Sequence, residues 1–354
     1  MKILVYDVPA YCGGALTVLK EVYSYACGRK DTDWIFVINP KVKDVFENKS
    51  NIRIITADTV GQSWLNRLRY DHTDIRKTAV KEKPDVILSL ANVTVPVTGI
   101  KQYVYIHHPI PFSDLKYSFF KQRTLWIYKH IIAKIMYHSI KKCDRVIVQT
   151  KWMKDAVMKK CGIPEEKFIM CPPKIANTEF LKYRDSNEAR KCFFFPAGMS
   201  EFKNHVTVVK AVKSLVKLGV TDYKVLFTGN TDICEIGGES LKGLPITMTG
   251  YMQYNDVLKQ YAESVLIFPS KLETFGLPLL EARLTGSVII AGDTPFSREI
   301  LDGYENVLYF NTMDNEELAK CMQLVMNGDY KYKPDPAPFE LHGGWEDVLT
   351  QLSK

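Results

Sequence analysis

The stretch PSKLETFGLPLLEARLTG, residues 269–286, places Glu273 and Glu281 eight positions apart. The apolar run SVLIFPS that leads into it predicts a buried strand. Pro278 lies where the first turn of a helix tolerates proline, and Gly286 lies where a helix ends. The stretch therefore predicts a strand, a loop that carries the first glutamate, and a helix whose N-terminal N–H groups form an anion site.

The two carboxylates admit two interpretations. A carboxylate accepts two hydrogen bonds at once, which suits sugar hydroxyls, so Glu273 and Glu281 could contact different parts of one ligand. Alternatively, a glutamate near a helix start is stabilised by the helix dipole while it stays in solvent. The spacing alone leaves both interpretations open, and the rest of the chain has to decide between them.

The rest of the chain alternates short apolar runs with helical patterns. The runs include KILVYDV, WIFVINP, IRIIT, DVILSL, QYVYIHH and RVIVQT, then CFFFPAG, YKVLFTG, ITMTGY, SVLIFPS, SVIIAG and NVLYF. They are apolar on both faces, as strands buried in a parallel sheet must be. This alternation predicts two doubly wound α/β domains, with ligands bound at the carboxyl ends of the strands in a cleft between them. The boundary falls in the proline-rich, polar segment Cys171–Lys191, which gives domains 1–172 and 173–342.

Composition limits the classes of protein. Of the 354 residues, 46% are hydrophobic and 25% are charged, with a net charge of +7; this is typical of a folded, two-domain protein. The eight cysteines form no CxxC pair, which excludes a disulfide scaffold and zinc-ligand spacing. We find no signal peptide and no run of the ~18 apolar residues that span a membrane, so we expect a cytoplasmic protein. The charge alone is compatible with simple solubility, nucleic acid, an anionic membrane or anionic substrates.

The opening stretch resembles a known signature. PSKLETFGLPLLEA is similar to the Glu-x7-Glu motif of retaining glycosyltransferases, particularly family 4 of the GT-B fold. That pattern runs from a strand ending in Pro-Ser through Glu and aromatic-Gly-x-Pro to Glu-Ala. The matching residues are Glu273, Phe275, Gly276, Pro278, Glu281 and Ala282. The resemblance favours a site over a solvated helix start, and it implies the GT-B fold with two Rossmann-like domains.

Other segments resemble the same family over about Phe193–Leu352. They are FFFPAGMSEFKNH, VLFTGN, ITMTGY and SREILDGYENVLYF. The C-terminal HGGWEDVL resembles the last helix of the family, so residues 343–354 are expected to pack back on the first domain. The matching single positions are Gly198, Lys203, Gly229, Gly250, Glu299 and Asn306.

The N-terminal half resembles the family more loosely. Gly13 and Gly14 follow the first strand, where glycines let backbone N–H groups approach a ligand; the alternative is a tight turn. His107, in VYIHH, matches a histidine that faces the donor sugar in the family. His108 falls where an acidic residue is common, and we favour a structural role for it.

The resemblance implies transfer of a sugar from a nucleotide diphosphate sugar with retention at the anomeric carbon. Glu273 and His107 would hold the sugar, Glu281 would hold the ribose, and Lys203 would stabilise the departing diphosphate. The leaving phosphate would assist deprotonation of the acceptor, without metal or cofactor; the Asp31–Asp33 motif is interpreted as a turn rather than a metal site. The donor site would be completed by Gly13, Gly14, Gly198, Gly229, Gly250, Thr274, Phe275, Gly276 and Leu277.

One position departs from the family pattern. Met199 follows Gly198 where the family often has an arginine. The diphosphate would then be bound by Lys203, the helix N-terminus, and Arg283 or Arg298. Because a lysine is a point charge without the arginine fork, the strength or style of diphosphate binding is in question.

The segment Lys116–Lys142 mixes lysines with aromatic and aliphatic residues and predicts a helix with a basic face. Such a helix can lie on an anionic membrane surface or be a domain helix whose basic face is solvated. Nucleic-acid binding is disfavoured because the sugar-transfer signature is present.

We therefore expect a retaining, metal-independent glycosyltransferase in the cytoplasm, either free or peripheral on the inner face of the membrane. Its acceptor would be a glycan or lipid-linked oligosaccharide in bacterial surface polysaccharide or lipopolysaccharide synthesis. One alternative is a degenerate GT-B protein that acts as a binding or assembly subunit, which Met199 alone supports. Another is a GT-B nucleotide-sugar epimerase or phosphorylase.

Overall fold

The computed structural model describes residues 1–62, 66, 69–174, 180–336, 339 and 342–352. The chain divides into two compact units. The first unit is Met1–Ile175 together with Leu341–Lys354, and the second is Ala176–Glu340. Each unit contains one large parallel sheet, so the predicted fold class of two doubly wound α/β domains is confirmed.

The first unit has seven parallel strands in the order β3-β2-β1-β4-β5-β6-β7. The order reverses between β1 and β4, which makes a topological switch point at their carboxyl ends. The strands are β1 (Lys2–Asp7), β2 (Asp33–Ile38), β3 (Ile52–Thr56), β4 (Val86–Ser89), β5 (Lys101–Ile106), β6 (Arg145–Val148) and β7 (Phe168–Met170).

The second unit has six parallel strands in the order β12-β9-β8-β13-β14-β15, with the switch point between β8 and β13. A separate antiparallel pair, β10 with β11, lies outside this sheet. The strands are β8 (Cys192–Phe195), β9 (Lys224–Phe227), β10 (Glu235–Ile236), β11 (Glu239–Ser240), β12 (Ile246–Met248), β13 (Val265–Phe268), β14 (Ile289–Gly292) and β15 (Val307–Phe310).

Helices connect most of these strands, as parallel pairing requires. They are α1 (Gly13–Gly28), α2 (Ile75–Glu82), α3 (Arg123–Ile127), α4 (Ala133–Lys142), α5 (Lys151–Cys161), α6 (Asn187–Arg190), α7 (His205–Lys217), α8 (Tyr254–Ala262), α9 (Leu277–Thr285), α10 (Pro295–Ile300), α11 (Asn315–Asn327) and α12 (Trp345–Leu352). The 3₁₀ turns are Pro40–Val45, Asp58–Gln62, Ile110–Phe112, Glu165–Lys167 and Glu201–Lys203, and Tyr70–Asp74 and Tyr128–Ile132 form π-helical turns.

Strand β1 shows why the strand segments are apolar on both faces. Ile3 and Val5 belong to a buried cluster that includes α1 and α12. Leu4 and Tyr6, which alternate with them, belong to a second cluster with α2 on the other face. Because successive side chains point to opposite faces, a strand covered on both sides carries apolar residues at consecutive positions, here Ile3 to Val5.

The final helix, α12, contributes to the core of the first unit. Trp345 is 7% exposed, its ring stacks on Tyr105 at 5.5 Å between centroids, and its Nε1 donates to Glu21 at 3.2 Å. Val348 and Leu352 are buried in the same cluster. This unit is therefore built from two separated parts of the chain.

The sequence predicted a helix over the basic segment Lys116–Lys142, but only the part from Arg123 onward is helical. The helix begins at Arg123, and it continues through the π-helical turn Tyr128–Ile132 into α4. Before it, the N–H of Ser118 donates to Gln122 Oε1 at 2.8 Å. This side-chain bond closes a non-helical turn, which residue periodicity does not reveal.

Candidate functional site

Strands β8 and β13 are neighbours at the centre of the second sheet, although strands β9 to β12 lie between them in the chain. Their parallel register pairs Phe193 with Val265 and Phe194 with Leu266. The loops that follow them, 196–204 and 269–276, therefore leave the same edge of the sheet at its switch point. Open α/β sheets bind ligands at this place, so these loops form the first candidate site.

The two loops meet through an ion pair. Lys203 Nζ donates to Glu273 Oε1 at 2.6 Å, and the two side chains are only 20% and 14% exposed. Water therefore screens this pair less than it screens pairs on the surface. A backbone bond from the N–H of Lys271 to the carbonyl of Phe202, at 2.8 Å, joins the same two loops.

Asn204 fixes the loops further, a role that the sequence analysis missed. Its backbone is left-handed, with φ of 64°, a conformation that asparagine tolerates better than most residues. Its Nδ2 donates to the carbonyls of Pro269 and Thr312 at 3.1 and 2.8 Å, and its Oδ1 accepts from Thr207 Oγ1 at 2.9 Å. An asparagine directly before a helical pattern was the available signal.

Helix α9 begins and ends where the sequence predicted. Gly276 precedes it with φ of 94°, and a Cβ there would lie 3.2 Å from Leu279 Cδ1, so the turn requires glycine. Gly286 ends the helix with φ of 78°. Phe275 is 3% exposed, so its side chain belongs to the core and its contribution to a site would come from the backbone.

Glu281 lies one turn inside α9 and is 7% exposed. Tyr261 donates its hydroxyl to Glu281 Oε2 at 2.9 Å, and Tyr254 is a second side-chain hydrogen-bond partner. Burial raises the pKa of the Glu281 carboxyl, and the two tyrosine bonds partly offset this effect. Neither tyrosine was predicted from the sequence, although their spacing of seven in YNDVLKQY places them on one helix face.

The glycines after the neighbouring strands lie close together, and Met199 packs beside one of them, Gly229. The N–H of Gly229 donates to the carbonyl of Gly250 at 3.2 Å. A Cβ on Gly229 would lie 3.7 Å from Met199 Cγ, so the methionine side chain packs over this turn. Gly198 has open space around it. An apolar contact therefore occupies the place where the family pattern has a cation.

Both arginines named from the sequence have hydrogen-bond partners within the second unit. Arg283 is 4% exposed, and its Nη1 donates to the carbonyls of Ile300 and Asp302 at 2.8 and 2.9 Å. Arg298 forms a two-bond pair with Asp293, at 2.7 and 2.8 Å. Arg283 is therefore held inside the unit by backbone carbonyls, whereas the Arg298 side chain is 54% exposed. The expectation that one of them binds the diphosphate stays a prediction.

The first unit presents its own candidate residues at its sheet edge. Gly13 starts α1 with φ of 62°, and a Cβ on it would meet no heavy atom within 4 Å, so conformation rather than crowding favours glycine there. Gly14 follows in the first turn, which contains no acidic residue. This helix N-terminus is therefore suited electrostatically to a negative or polar ligand group.

His107 and His108 follow β5 and are held by one asparagine. Both backbone N–H groups donate to Asn92 Oδ1, at 2.8 and 3.1 Å, and Asn92 is left-handed with φ of 63°. The ring of His108 stacks on Tyr128 at 4.4 Å, which fits the structural role favoured for it. The sequence analysis missed Asn92.

Both imidazoles are electrically neutral at pH 7. Burial lowers the pKa of His107 to about 4, with a smaller effect from His108, and burial lowers the pKa of His108 to about 4. The Nδ1 of each ring is buried and has no hydrogen-bond partner among the described residues. His107 is therefore suited to exchange hydrogen bonds with a hydroxyl rather than to act as a cation.

A cavity of about 1060 Å³ lies beside these histidines, entirely within the first unit. Its walls are the loop after β4, the end of β5 and one side of α4 with the π-helical turn before it. The lining combines aliphatic side chains with polar and charged ones; it includes Ala91–Ile100, His107, His108, Tyr128, Ile132, Ile135 and Met136, together with Asp71, His72, His138, Lys142 and Asp144.

Three further observations concern metal ligands and membrane-spanning helices. Asp31 pairs with Arg29 at 3.5 Å, and Asp33 opens β2, so this Asp-x-Asp motif lies at a turn before a strand, as the sequence suggested. Across the described ranges, no three His, Cys, Asp or Glu side chains are grouped to hold a metal. Within the same residues, no helix combines the length and apolarity needed to cross a membrane.

Two family models match the chain. The model described as Glycosyltransferase Family 4 matches residues 13–175, and the model described as Glycosyl transferases group 1 matches residues 177–335. A curated relative is the O-antigen chain mannosyltransferase RfbU of Salmonella typhimurium (strain LT2). It is 22% identical over 327 residues, which cover 88% of this chain and 84% of the relative.

Solved structures share the architecture. Anabaena HepE in complex with UDP-glucose has a TM-score of 0.66 and 16% identity, over 93% of this chain and 90% of HepE. The apo form of the lipopolysaccharide outer core galactosyltransferase WaaB has a TM-score of 0.62 and 15% identity, over 95% and 93% of the two chains. At these identities the similarity concerns the fold alone.

Proposed function

Since the chain belongs to the GT-B glycosyltransferases of the family 4 type, we propose that it transfers a sugar from a nucleotide diphosphate sugar with retention at the anomeric carbon. The proposed acceptor is a glycan or lipid-linked oligosaccharide in bacterial surface polysaccharide or lipopolysaccharide synthesis. The names of the O-antigen mannosyltransferase and of the lipopolysaccharide galactosyltransferase support this acceptor class. UDP-glucose in HepE supports a nucleotide-sugar donor.

The single observation that carries the proposal is the meeting of Lys203 and Glu273 beside the start of α9, at the switch point of the second sheet. Lys203 and the helix N-terminus would stabilise the negative charge that grows on the departing diphosphate. Glu273 would accept hydrogen bonds from sugar hydroxyls and so fix the orientation of the sugar.

Two further residues keep the roles predicted from the sequence. Glu281 would bind the ribose hydroxyls, since its carboxylate is already held in place by two tyrosines. His107 would hydrogen-bond a sugar hydroxyl as a neutral imidazole. The leaving phosphate would assist deprotonation of the acceptor, and the reaction would need no metal ion or cofactor.

We also propose peripheral contact with an anionic membrane through the segment around α3 and α4. Phe120 is 95% exposed, and Ile131 and Ile135 are 49% and 42% exposed, while exposed basic side chains accompany them. Aromatic and aliphatic groups among lysines are typical of interfacial binding. Co-sedimentation with phosphatidylglycerol vesicles, weakened in Phe120→Glu and absent with phosphatidylcholine, would support this contact; equal behaviour of both proteins would refute it.

Thermal stabilisation by ligands tests the donor assignment. UDP, GDP, ADP and dTDP and their hexose conjugates are added in the presence of EDTA to the wild type, Glu281→Gln and the control Glu263→Gln. A ligand that binds the native state raises its stability with the logarithm of ligand concentration. We expect one base to stabilise the wild type and the control, and to stabilise Glu281→Gln much less.

The same panel separates the rival functions. If no nucleotide stabilises the folded wild type, the degenerate binding or assembly subunit becomes the better hypothesis. If the selected sugar nucleotide changes its sugar configuration without an acceptor, the protein is an epimerase; if inorganic phosphate is the acceptor, it is a phosphorylase. Retention is tested by the anomeric configuration of the product in an NMR spectrum.

A further inference from the structure

We propose that Glu273 determines the preference of this site for an intact donor over the nucleoside diphosphate product, because it competes with the diphosphate for Lys203. The inference rests on the proposed function and deepens it. It starts from the observation that these two residues bind each other in the structure, at 2.6 Å.

The two loops that carry Lys203 and Glu273 are bonded to each other, so a diphosphate and Glu273 compete for the same lysine. The backbone bond between Lys271 and Phe202 ties the two loops together, and the side-chain amide of Asn204 binds the carbonyl of Pro269. The two loops therefore stay beside each other, and the Lys203–Glu273 pair separates only by rotation of the side chains. A diphosphate that takes Lys203 as its partner must do so beside the carboxylate that already holds it.

The charges make that exchange costly for a bare diphosphate. Both side chains are largely buried, and a partly buried carboxylate that loses its cation remains poorly solvated. The phosphate oxygens also bring like charge close to Glu273, which disfavours both anions. A nucleoside diphosphate without a sugar therefore binds at the expense of the ion pair.

The sugar changes this balance. Its hydroxyls are hydrogen-bond donors, so they supply Glu273 with new partners when Lys203 turns to the phosphates. In the transfer, the bond between the anomeric carbon and the phosphate oxygen breaks, a bond to the acceptor oxygen forms, and the acceptor proton passes to the diphosphate. Glu273 then loses the hydroxyls and returns to Lys203, which favours release of the product.

Calorimetric titration tests the inference. UDP, GDP, ADP, dTDP and their hexose conjugates are titrated into the wild type, Glu273→Gln and Glu263→Gln, a matched loss of one exposed carboxylate in the same unit. We expect Glu273→Gln to bind the preferred diphosphate about tenfold tighter, the size of one charge-assisted hydrogen bond, and the sugar nucleotide no tighter. The control should bind both as the wild type does.

A second substitution identifies the cause. In a Lys203→Gln background, Glu273→Gln should give a much smaller gain for the diphosphate, because no cation is left to release. If Glu273→Gln does not fold, Glu273→Asp withdraws the carboxylate by one methylene and should change affinity in the same direction, by less. Unchanged or weaker diphosphate binding in a folded Glu273 variant overturns the inference alone. Failure of the folded wild type to bind any nucleotide overturns both the inference and the proposed function.

Discussion

Two left-handed asparagines fix the loops of the two candidate sites, one as an acceptor and the other as a donor of hydrogen bonds. Asn92 in the first unit and Asn204 in the second are both left-handed, with φ of 63° and 64°. Asn92 accepts hydrogen bonds from the backbone of His107 and His108, and Asn204 donates to two loop carbonyls. The side chain of each asparagine thus supplies hydrogen bonds to backbone groups of a loop that follows a strand.

The contribution of Asn204 can be divided between backbone and side chain. Asn204→Gly keeps the left-handed conformation but loses the side-chain bonds, whereas Asn204→Ala loses both. We expect the alanine variant to lower the free energy of unfolding by about 3 kcal/mol and the glycine variant by about 2 kcal/mol. Urea denaturation monitored by fluorescence measures this difference. Equal losses would show that the backbone conformation contributes nothing.

His205 predicts a loss of stability in acid. It is 3% exposed, and burial, with a smaller effect from Lys203, lowers its pKa from 6.5 to about 4. Because the folded-state pKa is lowered, the stabilisation is complete above pH 6.5 and is lost as the pH falls toward 4. His205→Phe should therefore flatten the decline of stability between these pH values by roughly 2–3 kcal/mol.

Melting temperatures at several pH values test this expectation. His342→Gln, which removes an exposed imidazole, serves as the control. An acid decline that is as steep in His205→Phe as in the wild type would assign the effect to other groups.

At the scale of elements, the sequence predicted those strands and helix ends that depend on residues adjacent in the chain. Twelve of the fifteen strands in the described residues were visible as apolar runs, whereas β7, β10 and β11 were not predicted. Pro278 and Gly286 located the two ends of α9. Contacts between distant residues left no local signal: the Lys203–Glu273 pair joins positions 70 apart. For the same reason, the sequence could not predict that Met199 packs over Gly229 or that Arg283 donates to backbone carbonyls. The roles assigned to the site residues stay predictions.

Gly276 connects element geometry to the proposed site. Gly276→Ala forces a residue with a Cβ into φ of 94° and places that Cβ 3.2 Å from Leu279. We expect a loss of about 1–3 kcal/mol in stability and weaker binding of the diphosphate, because the start of α9 shifts. Gly28→Ala, which meets no atom within 4 Å, is the control. If Gly276→Ala is destabilised but binds the nucleotide as tightly as the wild type, the start of α9 does not contribute to binding.

At the scale of the whole molecule, each unit follows the doubly wound plan, but the first is completed by α12 from the end of the described chain. The strand orders, and the clusters that α12 joins, depend on which distant segments meet, so the apolar runs alone could not give them. The second unit, in contrast, is formed by one continuous stretch.

Removing the anchor of α12 should affect the first unit selectively. Trp345→Ala deletes a ring that stacks on Tyr105 and donates to Glu21. We expect a loss of about 3–5 kcal/mol in that unit. Hydrogen exchange followed by mass spectrometry should show faster exchange in β1 and β5 and unchanged protection in β8 and β13. Uniformly faster exchange across both sheets would contradict this expectation.

Because the first unit is built from two separated parts of the chain, the ribosome synthesises these parts at different times. A chain leaves the ribosome at about 5–20 residues per second, N-terminus first, so the second unit is complete before α12 emerges. Until then, the side of the first sheet that Trp345 and Leu349 cover stays open to solvent. The nascent first unit therefore waits on the order of ten seconds or more with an uncovered apolar face, during which a chaperone can bind it.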